Sequence, residues 1–246
     1  MMKRLALLTH LALILSIFPT RMLFGQYDQK TISSMEAHEF FDQLYKVDPR
    51  LINGDFYQSQ SPAGVSGHPF FFSPGWKEGS VRFGGLDYND LLLRYDVSGD
   101  QVILNTAGFT NSGLQLVLKK DSIREFIMNG YTFEQYPEDD PFNGTRFCQI
   151  LVEGKTDLLI IRSKKLRITS TGLTDFAYQE SESRILRYKG ELIPYKNRNS
   201  LIRLFPDLKQ DLKDYLRNNR LRLRRMKLQN HAEYVSFCNQ LIEGSE

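Results

Sequence analysis

Few of the side chains that carry chemistry are spaced for catalysis. Beyond residue 25 the chain has three histidines, His38, His68 and His231, and no two stand at the spacing of a zinc-binding helix. The two cysteines, Cys148 and Cys238, are too far apart along the chain to form one short metal-binding motif. The sequence therefore predicts no metal and no cofactor.

Motifs for a serine nucleophile or for phosphate binding are also missing. Gly64-Val-Ser-Gly67 resembles a nucleophile elbow, but no residue separates its serine from the second glycine. The chain has neither a phosphate-binding loop nor a dinucleotide glycine fingerprint. Its 29 aspartates and glutamates leave open a secreted hydrolase that uses a pair of acidic residues, although no two are singled out by spacing.

The best candidate for a binding site is the segment from Ser61 to Trp76. It holds a histidine and four large aromatic residues between prolines and glycines: His68, Phe70, Phe71, Phe72 and Trp76. Aromatic rings on a rigid loop offer a large contact area at low entropic cost, which is typical of a ligand or partner surface. The alternative is a plug that closes one end of a β-structure.

A second candidate is the basic run Arg220-Leu-Arg-Leu-Arg-Arg225. On an extended segment the arginines Arg220, Arg222 and Arg224 would face one side, next to Arg225, and the leucines would face the other. This arrangement suits contact with an anionic surface of phosphates or acidic sugars. The run lacks interleaved aromatic residues, so we do not expect nucleic acid as the partner.

The charge distribution along the chain agrees with that candidate. Residues 184–227 contain 14 basic and four acidic side chains, whereas residues 26–183 contain 15 basic and 22 acidic ones. A local excess of ten positive charges can face an anionic partner. The alternative is a solvated helix surface whose field is partly cancelled by the acidic remainder.

Periodicity predicts the elements that must position these residues. Capping-box spacing and one broad apolar face predict a helix at about residues 33–46. From residue 53 to about residue 205, some ten short β-type segments alternate with glycine, asparagine and proline. We therefore expect an antiparallel meander that forms a curved sheet or a partly closed barrel.

Several hairpins can be predicted within this region. Asn129-Gly130 is the strongest turn signal, because both residues readily take the positive φ angles of a type I′ turn. A second hairpin is expected through residues 153–155. Ala177 to Gln179 and Ile185 to Tyr188 are predicted to be a third pair of short strands.

Helical periodicity returns in residues 206–242. Pro206 is tolerated in a first turn, and apolar residues at spacings of three and four predict two C-terminal helices. Docked onto the sheet, these helices give an α+β fold that is mainly antiparallel β, with a single domain over residues 26–246. Cys148 and Cys238 permit a disulfide, and two separately buried thiols are the alternative.

The N-terminus predicts export from the cytoplasm. Lys3 and Arg4 precede an apolar run of fourteen residues from Leu5 to Phe18, and Pro19 follows it. A helix of that length rises only about 21 Å, which is short for a membrane core of about 30 Å. We therefore predict a signal peptide over residues 1–25 and a mature protein that is periplasmic or secreted and not transmembrane.

Parts of the sequence resemble uncharacterised secreted β-rich proteins of Bacteroidetes-type bacteria. The resemblance rests on Ile52-Asn-Gly-Asp-Phe-Tyr57, Gly67-His-Pro-Phe-Phe71 and the stretch from Gly79 to Asp96. The Leu204-Phe-Pro-Asp207 string ahead of a lysine-rich helix is similar as well. The resemblance implies an exported β-rich protein and carries no activity.

These observations favour a non-enzymatic, exported envelope protein that acts as a binding or interaction module for an envelope protein. One alternative is a periplasmic carrier of a lipid or other apolar ligand. Such a carrier requires a cavity in the sheet, for which the expected lining is Leu91, Leu93, Tyr95, Leu114 and Leu116. The other alternative is the hydrolase, which requires two carboxylates converging in a cleft.

Overall fold

The computed structural model of the chain describes residues 48–108, 113–136, 146–168 and 176–245. All of them belong to one structural unit. The predicted signal peptide, residues 1–25, and the predicted helix, residues 33–46, lie outside the described residues.

Eleven described strands form a single antiparallel sheet, as the short β-type segments predict. In chain order they are β1 (Asp55–Phe56), β2 (Lys77–Phe83), β3 (Leu86–Asp96), β4 (Gln101–Asn105), β5 (Gln115–Val117), β6 (Ile123–Met128), β7 (Tyr131–Gln135), β8 (Phe147–Val152), β9 (Thr156–Ile168), β10 (Phe176–Tyr188) and β11 (Glu191–Pro194).

Two meanders make up the sheet. Its spatial order is β1-β5-β4-β3-β2-β6-β7-β8-β9-β10-β11, so that strands β2 to β5 and strands β6 to β11 each run as consecutive neighbours. The two meanders join where β2 pairs with β6. Because β1 pairs only with β5 and β11 only with β10 among the described strands, the sheet is open.

Turn chemistry sets the register of the predicted hairpins. Asn129 and Gly130 have φ angles of 52° and 76°, and they join β6 to β7 as a two-residue turn. The hairpin predicted through residues 153–155 joins β8 to β9. The third prediction is wrong, because Phe176–Tyr188 is one strand of 13 residues paired along its whole length with β9.

Three helices follow the sheet, one more than predicted. They are α1 (Asn199–Leu204), α2 (Lys209–Asn218) and α3 (Leu228–Ser245). The β-rich region ends at Pro194 rather than near residue 205, because the Asn197 side chain accepts the backbone N–H of Asn199 at 2.9 Å and starts α1. Helix α1 stops before Pro206, since the residue preceding a proline disfavours helical geometry.

The two largest apolar clusters lie on the same face of the sheet. Phe126 pairs with Phe133, Phe133 with Gln149, and Gln149 with Ile160. Directly paired residues point to the same side of a sheet. The aromatic core around Phe126 and the helix core around Ile160 therefore occupy opposite ends of one face.

Stacked rings fill the aromatic core. The rings of Phe126 and Phe133 are parallel with centroids 4.6 Å apart, and Tyr95 and Phe147 meet Phe126 edge-on at 5.3 and 5.1 Å. The leucines of β3 that were expected to line a ligand cavity, Leu91 and Leu93, are buried in this packed cluster. Leu116 is also buried, whereas Leu114 is exposed.

Helices α2 and α3 cover the other end of that face. Their apolar stripes pack on Leu158, Ile160 and Leu186 of strands β9 and β10. The side chains of Cys238 and Ile160 belong to this helix core, whereas Cys148 packs with Ile161, which points to the opposite face of β9. The sheet therefore separates the two thiols, and the disulfide that the sequence permitted is not formed. Burial raises the pKa of Cys238 to about 12.

Candidate functional site

A cleft of about 720 Å³ lies between α2 and the basic run that follows it. Five cationic side chains line this basic cleft: Arg198, Lys213, Arg217, Arg222 and Arg225. Leu216, Leu221 and Leu223 add apolar surface, and Asn197 completes the lining. The cleft thus combines a positive rim with an apolar wall, and none of the described residues that line it is acidic.

A Schellman turn at the end of α2 builds the cleft. The backbone N–H of Leu221 donates to the carbonyl of Leu216 at 2.8 Å, and that of Arg220 donates to the carbonyl of Arg217 at 3.0 Å. Arg220 takes a φ of 53°, a left-handed conformation that glycine normally supplies at this position. The chain therefore reverses, Leu221 returns to the helix core, and Arg222 faces α2.

The four arginines predicted to contact an anionic surface have different positions. Arg222 and Arg225 line the basic cleft, and Arg220 is exposed at the turn outside its lining. The side chain of Arg224 lies outside the described part of the chain. The run is not extended throughout, because Arg220 is left-handed and Leu223–Arg225 forms a 3-10 turn.

Most of the positive charge in the cleft lacks an internal counterion. Arg217 forms an ion pair of 2.8 Å with Asp214, one turn earlier on α2. Arg198, Lys213 and the two arginines of the basic run have no ion-pair partner among the described residues. An exposed pair such as Arg217–Asp214 contributes little stability, so the charges of the cleft are not explained by folding.

The aromatic segment between Ser61 and Trp76 links two distant strands. Phe71 donates its backbone N–H to the carbonyl of Tyr95 on β3, and Ser66 forms an isolated bridge with Ala177 on β10. The structure does not gather the predicted aromatic residues at one place. Phe71 is buried in the aromatic core, whereas the Phe72 side chain is 62% exposed.

The other predicted side chains of this segment lie around an arginine that the sequence did not single out. Arg94 of β3 places its guanidinium carbon 4.0 Å from the ring centroid of Trp76 and 5.1 Å from that of Phe70. The His68 ring stacks beside Phe70 at 6.1 Å. Alternation along a strand could have located Arg94, because it lies between the core residues Leu93 and Tyr95.

The two buried carboxylates near this segment do not form an acid pair. Asp96 accepts the Tyr57 hydroxyl at 2.9 Å and the backbone N–H groups of Ser98 and Gly99 at 2.8 and 2.9 Å. Asp100 accepts the buried Tyr95 hydroxyl at 2.6 Å and is paired with a lysine. Bonds that saturate both carboxylates are typical of structural roles.

His231 is a buried residue of the helix core. Its Nδ1 lies 3.4 Å from the Tyr195 hydroxyl, and its Nε2 has no hydrogen-bond partner among the described residues. Burial, with the nearby positive Arg184, lowers the pKa of His231 to about 4 despite an opposing effect of Glu182. The imidazole is therefore neutral in the folded protein at pH 7.

This shift predicts loss of stability in mild acid. Between pH 6.5 and pH 4 the unfolded chain binds a proton at residue 231 that the folded chain does not bind. The free energy of unfolding should therefore fall by about 2 kcal/mol between pH 7 and pH 5 through this residue. Urea unfolding at both pH values should show a smaller fall for His231→Gln than for wild type.

The matched control for that prediction is His68→Gln. His68 is half-buried, and its pKa is also lowered, first by burial and then by Lys164. Because His68 is less deeply buried than His231, the His68→Gln variant should keep most of the pH dependence of the free energy of unfolding. An equal fall in stability for wild type and His231→Gln would contradict the assignment.

Among the described residues, no three His, Cys, Asp or Glu side chains cluster so that they could hold a metal ion. None of the described helices has the length and apolar character needed to cross a membrane. Comparisons of the chain with protein-family models, with curated proteins and with solved structures gave no match.

Proposed function

We propose that the chain is an exported, non-enzymatic envelope protein that binds anionic lipid surfaces through the basic cleft. The observation that carries the proposal is that five cationic side chains line the cleft and, within the described part of the chain, only Arg217 has an ion-pair partner. Exposed cations without internal partners attract anionic headgroups and release counterions when they bind.

The apolar wall of the cleft favours a lipid over other polyanions. Leu216, Leu221 and Leu223 stand beside the cations, so the cleft presents charged and apolar surface together. The phosphate of a lipid headgroup can contact the charged surface, and the glycerol and first methylene groups can contact the apolar surface. An acidic glycan would satisfy only the charges.

Export is the part of the proposal that rests on the sequence. The positive start, the apolar run from Leu5 to Phe18 and Pro19 are typical of a signal peptide. The resemblance to secreted proteins of Bacteroidetes-type bacteria supports the same compartment. In an envelope, the partner surface is then an anionic membrane leaflet, and a protein partner is the weaker alternative.

Paired charge variants test the proposal. We expect Arg222→Gln with Arg225→Gln to weaken binding to vesicles containing phosphatidylglycerol, measured by sedimentation, by about thirtyfold, since each cation near a membrane contributes about 1 kcal/mol. The matched control is Lys165→Gln with Arg167→Gln, which removes two exposed charges from strand β9.

The two variants have the same net charge, so their difference reports position rather than total charge. Equal weakening in both would reduce the effect to non-specific attraction and overturn the role of the cleft. Unchanged vesicle binding in the cleft variant would also overturn the role of the cleft. Circular dichroism and thermal melting of both variants establish that each is folded.

A further inference from the structure

Arg94 is a partly desolvated cation that has no ion-pair or hydrogen-bond partner for its side chain among the described residues. Its guanidinium carbon lies 4.0 Å from the ring centroid of Trp76 and 5.1 Å from that of Phe70. The Nε atom is buried and makes no hydrogen bond within the described part of the chain. A buried donor left unpaired costs about 1–3 kcal/mol, a cost that a hydrogen bond from Nε to an acceptor would remove.

Nearby acidic groups do not supply the missing partner. Asp96, two residues along β3, already accepts hydrogen bonds on both carboxylate oxygens from Tyr57, Ser98 and Gly99. Burial lowers the pKa of Arg94, and among the groups acting on it only Tyr57 opposes that effect. The positive charge of Arg94 is therefore not neutralised by a neighbouring anion in the described residues.

A second nitrogen without a hydrogen-bond partner among the described residues lies beside the Phe70 ring. The imidazole of His68 stacks on Phe70 with centroids 6.1 Å apart, and its buried Nδ1 has no hydrogen-bond partner among the described residues. Lys164 of strand β9 donates to the carbonyl oxygen of Phe70 at 2.7 Å. The Phe70 ring therefore lies near both Arg94 and His68, and each of these side chains has a buried nitrogen with unused hydrogen-bonding capacity.

We propose that Arg94, Trp76 and Phe70 form a binding site for a carboxylate group, distinct from the basic cleft. A guanidinium presents a planar pair of donors that matches the two oxygens of a carboxylate. The two aromatic rings beside the guanidinium stabilise its charge by cation–π contact and would shield part of an ion pair from water. Arg94 and Trp76 are both partly exposed, so a ligand can reach them.

The sequence provides a reporter inside this site. Trp76 is the single tryptophan of the chain, so the intrinsic tryptophan emission comes from a ring in contact with Arg94. A carboxylate that binds the guanidinium changes the charge beside the indole and should shift or quench that emission. The titration needs no label and no change to the protein.

The test is a fluorescence titration with two pairs of probes. Glucuronate is compared with glucose, and N-acetyl-Ala-Ala, which has a free carboxylate, is compared with its amide. We expect a saturable change with at least one carboxylate probe and none with its neutral counterpart. The pair that responds distinguishes an acidic sugar from a peptide C-terminus as the source of the carboxylate.

Arg94→Lys keeps the charge and removes the planar fork, so it should weaken the responding carboxylate about tenfold or more. The matched control, Arg124→Lys on the exposed surface of β6, should bind as wild type does. The cleft variant Arg222→Gln with Arg225→Gln should also bind as wild type, which separates this site from the proposed lipid surface.

Three outcomes would overturn the carboxylate site. They are no emission change with either carboxylate, equal changes with the charged and neutral members of a pair, and unchanged affinity in a folded Arg94→Lys variant. Thermal melting checks the fold of that variant. If Arg94→Lys does not fold, the comparison of charged with neutral probes on the wild-type protein decides the question.

Discussion

Replacing Asn239 with alanine is expected to lower the free energy of unfolding by about 2–5 kcal/mol. The Asn239 side chain accepts the backbone N–H of Thr156 and donates to the carbonyl of the same residue, both at 2.9 Å. These bonds dock α3 onto the first residue of β9 in the way a neighbouring strand would. Their loss leaves two buried backbone groups unpaired, at about 1–3 kcal/mol each.

Urea unfolding of Asn239→Ala and of Gln240→Ala measures this effect. Gln240 is the next residue of the same helix and is exposed, so its replacement should change stability by less than about 0.5 kcal/mol. Similar stabilities for the two variants would contradict the docking role of Asn239.

A double-mutant cycle with Gly154 isolates the contact further. A Cβ at residue 154 would lie 2.3 Å from Nδ2 of Asn239, so Gly154→Ala should destabilise the wild-type protein by displacing the amide. In the Asn239→Ala background the clash is absent, and the second change should cost little. The two effects should therefore be strongly non-additive.

Replacing Asp100 with alanine should have an effect of similar size, about 3–5 kcal/mol, because it breaks a buried, charge-assisted network. The carboxylate accepts the hydroxyl of Tyr95 at 2.6 Å and the ammonium of Lys120, and it lies 3.4 Å from the backbone nitrogen of Phe147. Tyr95 is buried in the aromatic core, so its hydroxyl would be left without an acceptor.

Asp100→Asn is the informative comparison for that variant. It retains an acceptor for Tyr95 and suits the φ of 53° at this position, so its loss of stability should be smaller. The exposed residue Asp121 provides a charge control, and Asp121→Ala should be near neutral. If Asp121→Ala lowered the melting temperature as much as Asp100→Ala does, the stabilising role of the Asp100 network would be contradicted.

Local sequence signals were sufficient for the parts of the fold that depend on short-range chemistry. Asn129-Gly130 predicts its hairpin because two positive φ angles favour those residues. The third hairpin failed because Glu180 to Ser183 reads as a polar turn. In the structure this stretch continues β10 through cross-strand ion pairs of Arg162 with Glu180 and Glu182, which depend on a residue about twenty positions away.

The candidate sites were also predictable only where short-range sequence signals identify the residues. The sequence identified Arg222 and Arg225 by their spacing, but the cleft also needs Arg198 and two residues of α2. The spacing of Lys213 and Arg217, four residues apart, puts them on one face of a helix and was available as a signal. Their approach to the basic run depends on the turn at Arg220, where an arginine takes a conformation that no propensity predicts.

Charge selectivity of the wild-type protein tests the central claim most directly. The measurement is sedimentation of the mature chain with vesicles of phosphatidylcholine alone and with vesicles that also contain phosphatidylglycerol, at about 0.15 M salt. We predict binding to the anionic vesicles that weakens as salt is raised, and little binding to the neutral ones. Equal binding to both compositions, or binding to neither, would contradict a lipid-binding role for the basic cleft.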